Sequence, residues 1–162
     1  MFGLTNDDIK KIKWKQLPPF PHFQIAEARI LYDFICSDKI VGTWYFDVKL
    51  LSEKAKKLLE SENPFMLSQA NLYMKRIDAV CINSIAHNII EVKKKLLSSA
   101  IGQLLTYEKL YREQYKPTKS IRLVVVYAFR DEDVEKTCKE YNIKCYWVNY
   151  QTTKGVEVVE IV

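Results

Sequence analysis

A chain of 162 residues is long enough for one domain with a full core and too short for two comfortable ones. Nearly half of it (48%) is hydrophobic, which excludes a disordered chain, yet no apolar run approaches the ~18 residues of a membrane span. A formal charge of +5 leans towards a polyanionic partner and fits many cytosolic proteins as well.

The N-terminus, Met1-Phe2-Gly3-Leu4-Thr5-Asn6-Asp7-Asp8, lacks the basic-then-apolar layout of a signal peptide, so the expected location is the cytoplasm (the host's, if the source is viral). The Ile/Lys/Tyr-rich, glycine-poor composition is compatible with a small archaeal or viral protein. Residues Asp7 to Trp14 are expected to form a short helix, and Lys10, Lys11, Lys13 and Lys15 make a basic arm. Leu17-Pro18-Pro19-Phe20-Pro21 is a rigid linker that cannot be helical. Residues 1–21 therefore form an arm and linker, 22–150 a core, and 151–162 a C-terminal extension of a single domain.

The core opens with an amphipathic helix from about His22 to Cys36, with Phe23, Ile30 and Phe34 on one stripe. Thr43 to Leu50 alternates Trp44, Phe46, Val48 and Leu50 against Tyr45, Asp47 and Lys49, as a half-buried strand does. Ser52 caps a short helix that ends near Glu62, before Asn63-Pro64. Arg76 to Ile82 and Ile89 to Lys93 read as two strands across a polar break. A long helix follows from about Leu97 to Tyr115 and stops at Pro117. Ile121 to Phe129 is apolar on both faces, as a central strand is. Asp131 to Tyr141 opens acidic and closes basic, in keeping with a helix dipole. Cys145 to Asn149 and Val156 to Val162 are the last expected strands. The order is that of an α/β sheet covered by helices.

Cys36, Cys81, Cys138 and Cys145 lack metal-ligand spacing and read as buried thiols, with a Cys138–Cys145 disulfide left open. His22 and His87 read as linker and turn residues.

Asp78, Glu91 and Lys93 stand out because they interrupt apolar strands. Charges in such places are costly to bury unless they bind something, most simply a divalent cation with a phosphate. Glu91 and Lys93 are two residues apart and share a strand face. If the hairpin turns about Ser84–Ile85, Asp78 lies directly opposite Glu91, with Cβ atoms roughly 4.5–5.5 Å apart, close enough for one cation to bridge them.

Asp78…Glu91-Val92-Lys93 resembles the signature of the PD-(D/E)XK nuclease superfamily, with Ile77 where the motif name has proline. Gln103-Leu104-Leu105-Thr106-Tyr107 is similar to the Gln-x-x-x-Tyr motif of its RecB-like branch, and Glu27 resembles the first-helix glutamate of many members. The resemblance implies a restriction-endonuclease-like core, a mixed central sheet flanked by helices in the order αβββαβαβ, over residues 22–150. It further implies a Mg²⁺- or Mn²⁺-dependent deoxyribonuclease of DNA repair, recombination or viral and mobile-element replication. Asp78, Glu91 and the backbone carbonyl of Val92 would hold the metal, with Glu27 as an auxiliary ligand. Lys93 would act on the attacking water, and Gln103 and Tyr107 would position the strand. Lys94, Lys95, Lys10, Lys11 and Lys13 are the candidate DNA contacts. Two rival triplets, Asp8-Ile9-Lys10 and Asp47-Val48-Lys49, lack the companion residues, and Asp47 and Lys49 read as a solvated strand face. The alternative is a non-catalytic DNA-binding or assembly protein that keeps the fold. No membrane partner is expected, and a second copy of the chain is a candidate partner through the C-terminal strand.

Overall fold

The computed structural model describes residues 3–12 and 24–162. Lys13, Trp14, Lys15, the proline-rich linker, His22 and Phe23 lie outside the described residues. Seven strands form one sheet in sequence order: β1 (Leu4–Thr5), β2 (Thr43–Leu50), β3 (Lys75–Ile82), β4 (Ala86–Lys95), β5 (Ser120–Phe129), β6 (Ile143–Thr152) and β7 (Gly155–Glu160). Strands β1 to β4 run antiparallel in turn, β4, β5 and β6 are parallel, and β7 returns antiparallel on β6.

The connections explain the pairing. A parallel step needs a crossover, and helices α5 (Ser99–Tyr115) and α6 (Glu132–Glu140) supply the two. The antiparallel β3–β4 step needs only a tight turn, held by the Asn83 carboxamide oxygen, which accepts the backbone N–H groups of Ile85 and Ala86. The turn is shorter than the polar break read from the sequence, because Ala86, His87 and Asn88 already belong to β4.

The two faces of the sheet carry separate cores. On one, Leu104, Tyr107 and Tyr111 of α5 and Cys138 of α6 pack on Ile89, Leu123, Val125 and Tyr127. On the other, Ile30, Leu31, Phe34 and Ile35 of α2 (Ile25–Cys36) pack on Ile90, Val92, Val124 and Val126. Alternate residues of β5 thus feed both cores, which is why that strand is apolar throughout. Truncating Leu104, fully buried at the centre of α5, would cost about 3 kcal/mol. The short helix α1 (Asn6–Lys10) begins with a capping box between Thr5 and Asp8. Its buried Asn6 donates to the carbonyls of Ile35 and Ile40 and accepts from the indole of Trp44, tying the N-terminus to α2 and β2.

Two expectations need correction. Helix α4 (Pro64–Tyr73) was not read from the sequence; it follows α3 (Glu53–Leu59), capped by Asn63 with Pro64 at its start. Its apolar residues Phe65, Met66, Leu67 and Leu72 are exposed and only Ala70 is buried, so it shows no amphipathic stripe. Strand β2 does not present one apolar face: Trp44 and Phe46 join the α2-side core, whereas Val48 and Leu50 join the α5-side core. The switch occurs at Asp47, whose φ of 52° is left-handed. The four cysteines are free, in keeping with the reading as thiols: Cys81, Cys138 and Cys145 are buried and Cys36 is half-buried. Among the described residues, no helix is long and apolar enough to cross a membrane.

Candidate active site at the parting of two strands

The β3–β4 ladder pairs Ile82 with His87, Cys81 with Asn88, Val80 with Ile89 and Ala79 with Ile90. One further step sets Asp78 opposite Glu91, the register required by a turn centred on Ser84–Ile85. There the ladder stops. Strand β3 continues beside β2 to Lys75, while β4 continues beside β5 to Lys95. The strands part at the two acids, and side-chain chemistry replaces backbone pairing. Asp78 Oδ2 accepts the backbone N–H of Val92 at 2.7 Å. In an extended strand the N–H and C=O of one residue face the same side, so the Val92 carbonyl faces the gap as well.

Glu91 and Lys93 follow Ile89 on the α5 side. Lys93 Nζ lies 2.7 Å from Glu91 Oε1. Glu91 is only 2% exposed, and its Oε2 has no hydrogen-bond partner among the described residues. A carboxylate oxygen left so is a rare arrangement, because burial removes water without supplying a substitute.

Electrostatics concentrate in the gap. Burial raises the pKa of Asp78 well above the usual carboxylate range, aided by the charges of Glu91 and Glu27 and only partly opposed by the Val92 N–H and Lys93. Burial also raises Glu91, against the pull of Lys93; Asp78 is near enough to bond its carboxyl, a bond that forms only when one of the two acids carries a proton. For Lys93, burial acts downward, but Glu91, Asp78 and Glu27 outweigh it and raise the pKa, so the ammonium form holds.

The auxiliary residues converge on the same place. Glu27, in the first turn of α2, is half-buried, and its charge acts on Asp78, Glu91 and Lys93 although α2 covers the other sheet face. Tyr107 is buried in α5; burial and the charges of Glu91 and Asp78 push its phenol pKa up, and Gln103 Nε2 lies 3.3 Å from its hydroxyl. Lys94 and Lys95 are exposed at the end of β4. Lys10 is remote from this group and is engaged by Asp38 and Asp7; Lys11 is exposed in the turn after α1. His87, next to the hairpin turn, is bonded to the Tyr111 hydroxyl at 2.8 Å.

Sequence reasoning missed Asp47. The pairs Phe46–Ala79 and Val48–Ile77 bracket it directly across from Asp78, and its carboxylate is bonded to Arg76 Nη1 at 2.7 Å. It is not a solvated strand residue; Lys49, which is exposed, is. The unbroken apolar alternation of β2 hid the switch, and the sole hint was an Asp, one of the few residues that tolerate a left-handed backbone.

Among the described residues, no group of three or more His, Cys, Asp and Glu side chains assembles a metal cluster. The donors in the gap are instead two carboxylates and a backbone carbonyl, hard oxygens of the kind Mg²⁺ and Mn²⁺ take. The orphaned Glu91 Oε2, next to a second acid, is what a divalent cation would satisfy, so the residues fit one. No family model matches the chain, and neither a curated protein nor a solved structure was found to match it.

Proposed function

We propose that the chain is a metal-dependent nuclease of the PD-(D/E)XK type that hydrolyses DNA phosphodiester bonds. The observation that carries this reading is Glu91 Oε2, buried without a partner beside Asp78 and two residues from a charged lysine. The element order supports it: α2, β2, β3, β4, α5, β5, α6 and β6 run αβββαβαβ, with α3 and α4 inserted after β2. So does the placement of Gln103, Tyr107 and Glu27 around the same gap.

Asp78, Glu91 and the Val92 carbonyl would hold Mg²⁺ or Mn²⁺, with Glu27 near enough to bear on a second ion or its waters. The cation, when bound, supplies an activated water and neutralises phosphate charge. In the hydrolysis one water O–P bond forms and the P–O3′ bond breaks, leaving by the family resemblance a 5′-phosphate and a 3′-hydroxyl. Lys93, paired with Glu91 at 2.7 Å, reaches the place where the attacking water would stand. Its part is to orient the water and stabilise charge on the phosphorane-like transition state. Gln103 and Tyr107 position the strand on the α5 side, and Lys94 and Lys95 meet its phosphates.

Supercoiled plasmid and single-stranded DNA incubated with Mg²⁺ or Mn²⁺ test the proposal. Cleavage by the wild type that is lost in Asp78→Ala and Lys93→Ala is expected. Cleavage unchanged in both variants would sink the site assignment, and DNA binding without cleavage under any metal would favour the non-catalytic module.

A further inference from the structure

A second site lies at the other end of the sheet, on the α2 side. Beyond the C-terminus of α2 the sheet is no longer covered, and a cleft of about 470 Å³ opens there, lined by Lys39, Asn88, Arg122, Lys144, Tyr146 and Glu160 among others. Glu27 and this cleft stand at opposite ends of α2, which at 1.5 Å per residue separates them by roughly 18 Å.

The floor is built by register. Asn88 of β4 pairs with Arg122 of β5, and Val124 of β5 pairs with Lys144 of β6. Tyr146 is 6% exposed, with its ring against Phe34 at a centroid distance of 5.0 Å. Its hydroxyl has no hydrogen-bond partner among the described residues, yet it is not sealed from solvent. It lies within range of both Glu160, which raises its pKa alongside burial, and Arg122, which lowers it. Arg122 and Lys39 also make no hydrogen bond or ion pair among the described residues. Lys144 is held at 2.9 Å by Glu160, the one acid in the lining.

Three cations against one acid, two of them uncommitted, with an uncommitted buried phenol between the strands, describe a site for an anion rather than a solvated surface. The planar fork of Arg122 matches phosphate oxygens bidentately, and the volume falls within the roughly 300–1,000 Å³ of small-molecule sites. We infer that this cleft binds the phosphate group of a nucleotide unit, with Arg122 and Lys39 countering its charge and the Tyr146 hydroxyl donating to it. The inference does not depend on the nuclease reading.

Calorimetric titration of the full chain in EDTA at low salt, with dAMP, inorganic phosphate and an unphosphorylated single-stranded 12-mer as separate probes, tests it. Wild type and Asp78→Asn are expected to bind dAMP and inorganic phosphate alike, which keeps this result separate from the fate of the carboxylate site. Arg122→Glu should weaken binding at least about tenfold and Tyr146→Phe about threefold or more, with melting temperatures close to wild type. Binding of dAMP identifies a free nucleotide as the source of the phosphate. Binding of the 12-mer alone identifies a strand. Failure of all three probes to bind wild type, or binding undiminished in both cleft variants, would overturn the proposal.

Discussion

Glu91 and Glu135 are buried alike, at 2% and 4% exposure, and their surroundings are opposites. Glu135 Oε1 accepts from the Tyr127 hydroxyl at 2.6 Å and from Arg130 Nε at 2.9 Å, and Oε2 accepts from Arg130 Nη2 at 2.8 Å. Burial pushes its pKa up, but the bonds from Arg130 and Tyr127 outweigh burial and hold it below the ordinary value. Glu91 has one oxygen paired, one orphaned, and a second acid beside it. Burial of a charge is therefore no mark of a site in itself. The mark is burial that the protein leaves unanswered.

Activity should separate the two glutamates most sharply. Glu91→Gln is expected to lower DNA cleavage roughly 100- to 1,000-fold, while Glu135→Gln lowers it no further than its loss of folded protein explains. Equal losses in both would erase the distinction. Stability should invert the order. Glu135→Gln is expected to cost about 2 kcal/mol in urea denaturation, because the buried amide keeps only one oxygen to accept from Tyr127 and Arg130, whereas Glu91→Gln is neutral or stabilising without metal.

Mg²⁺ or Mn²⁺ at ten times its dissociation constant should stabilise the wild type by about 1.4 kcal/mol, a shift of a few degrees in a thermal melt, and should not stabilise Glu91→Gln. The pH dependence has opposite signs at the two places. Asp78 and Glu91 have folded pKa values raised above the unfolded ones, so their contribution is present in acid and is lost as pH rises through the raised values. Glu135 has a lowered folded pKa, so its contribution is present above the unfolded value and is lost as pH falls through the folded one. Metal-free Asp78→Asn should therefore gain on wild type in melting temperature as pH rises, and Glu135→Gln should approach wild type as pH falls. The metal shift should grow with pH, since the cation must displace the proton held by the acid pair. The smallest effect is expected from Tyr127→Phe, about 1 kcal/mol by urea denaturation, since Arg130 still covers both Glu135 oxygens.

The sequence made the elements of the α2–β6 frame legible because burial imprints a period. Two-residue alternation marked β2, continuous apolar stretches marked β5, and parity together with a turn about Ser84–Ile85 set Asp78 against Glu91. What stayed hidden had no periodic imprint. Helix α4 buries almost nothing, so only its Asn63-Pro64 start could have announced it. The Glu135–Arg130–Tyr127 network was invisible because its members look like an ordinary helix acid and two strand-end residues. The cleft draws scattered residues from β4, β5, β6, β7 and the segment after α2, and only the fold brings them together.

Asp47 bears on how the chain can change. A residue with φ near 52° tolerates Gly, Asn or Asp, and a β-branched replacement there would carry a strain of ~1–3 kcal/mol. Position 47 therefore has a short alphabet set first by backbone handedness, with the bond to Arg76 favouring Asp within it. Because it lies opposite Asp78, a strand straightened there would rotate Val48 and Leu50 away from the α5 side and take the floor from beneath the site. In a mutational scan this position would rank with the acids while touching none of their partners, and Gly would be its mildest substitute.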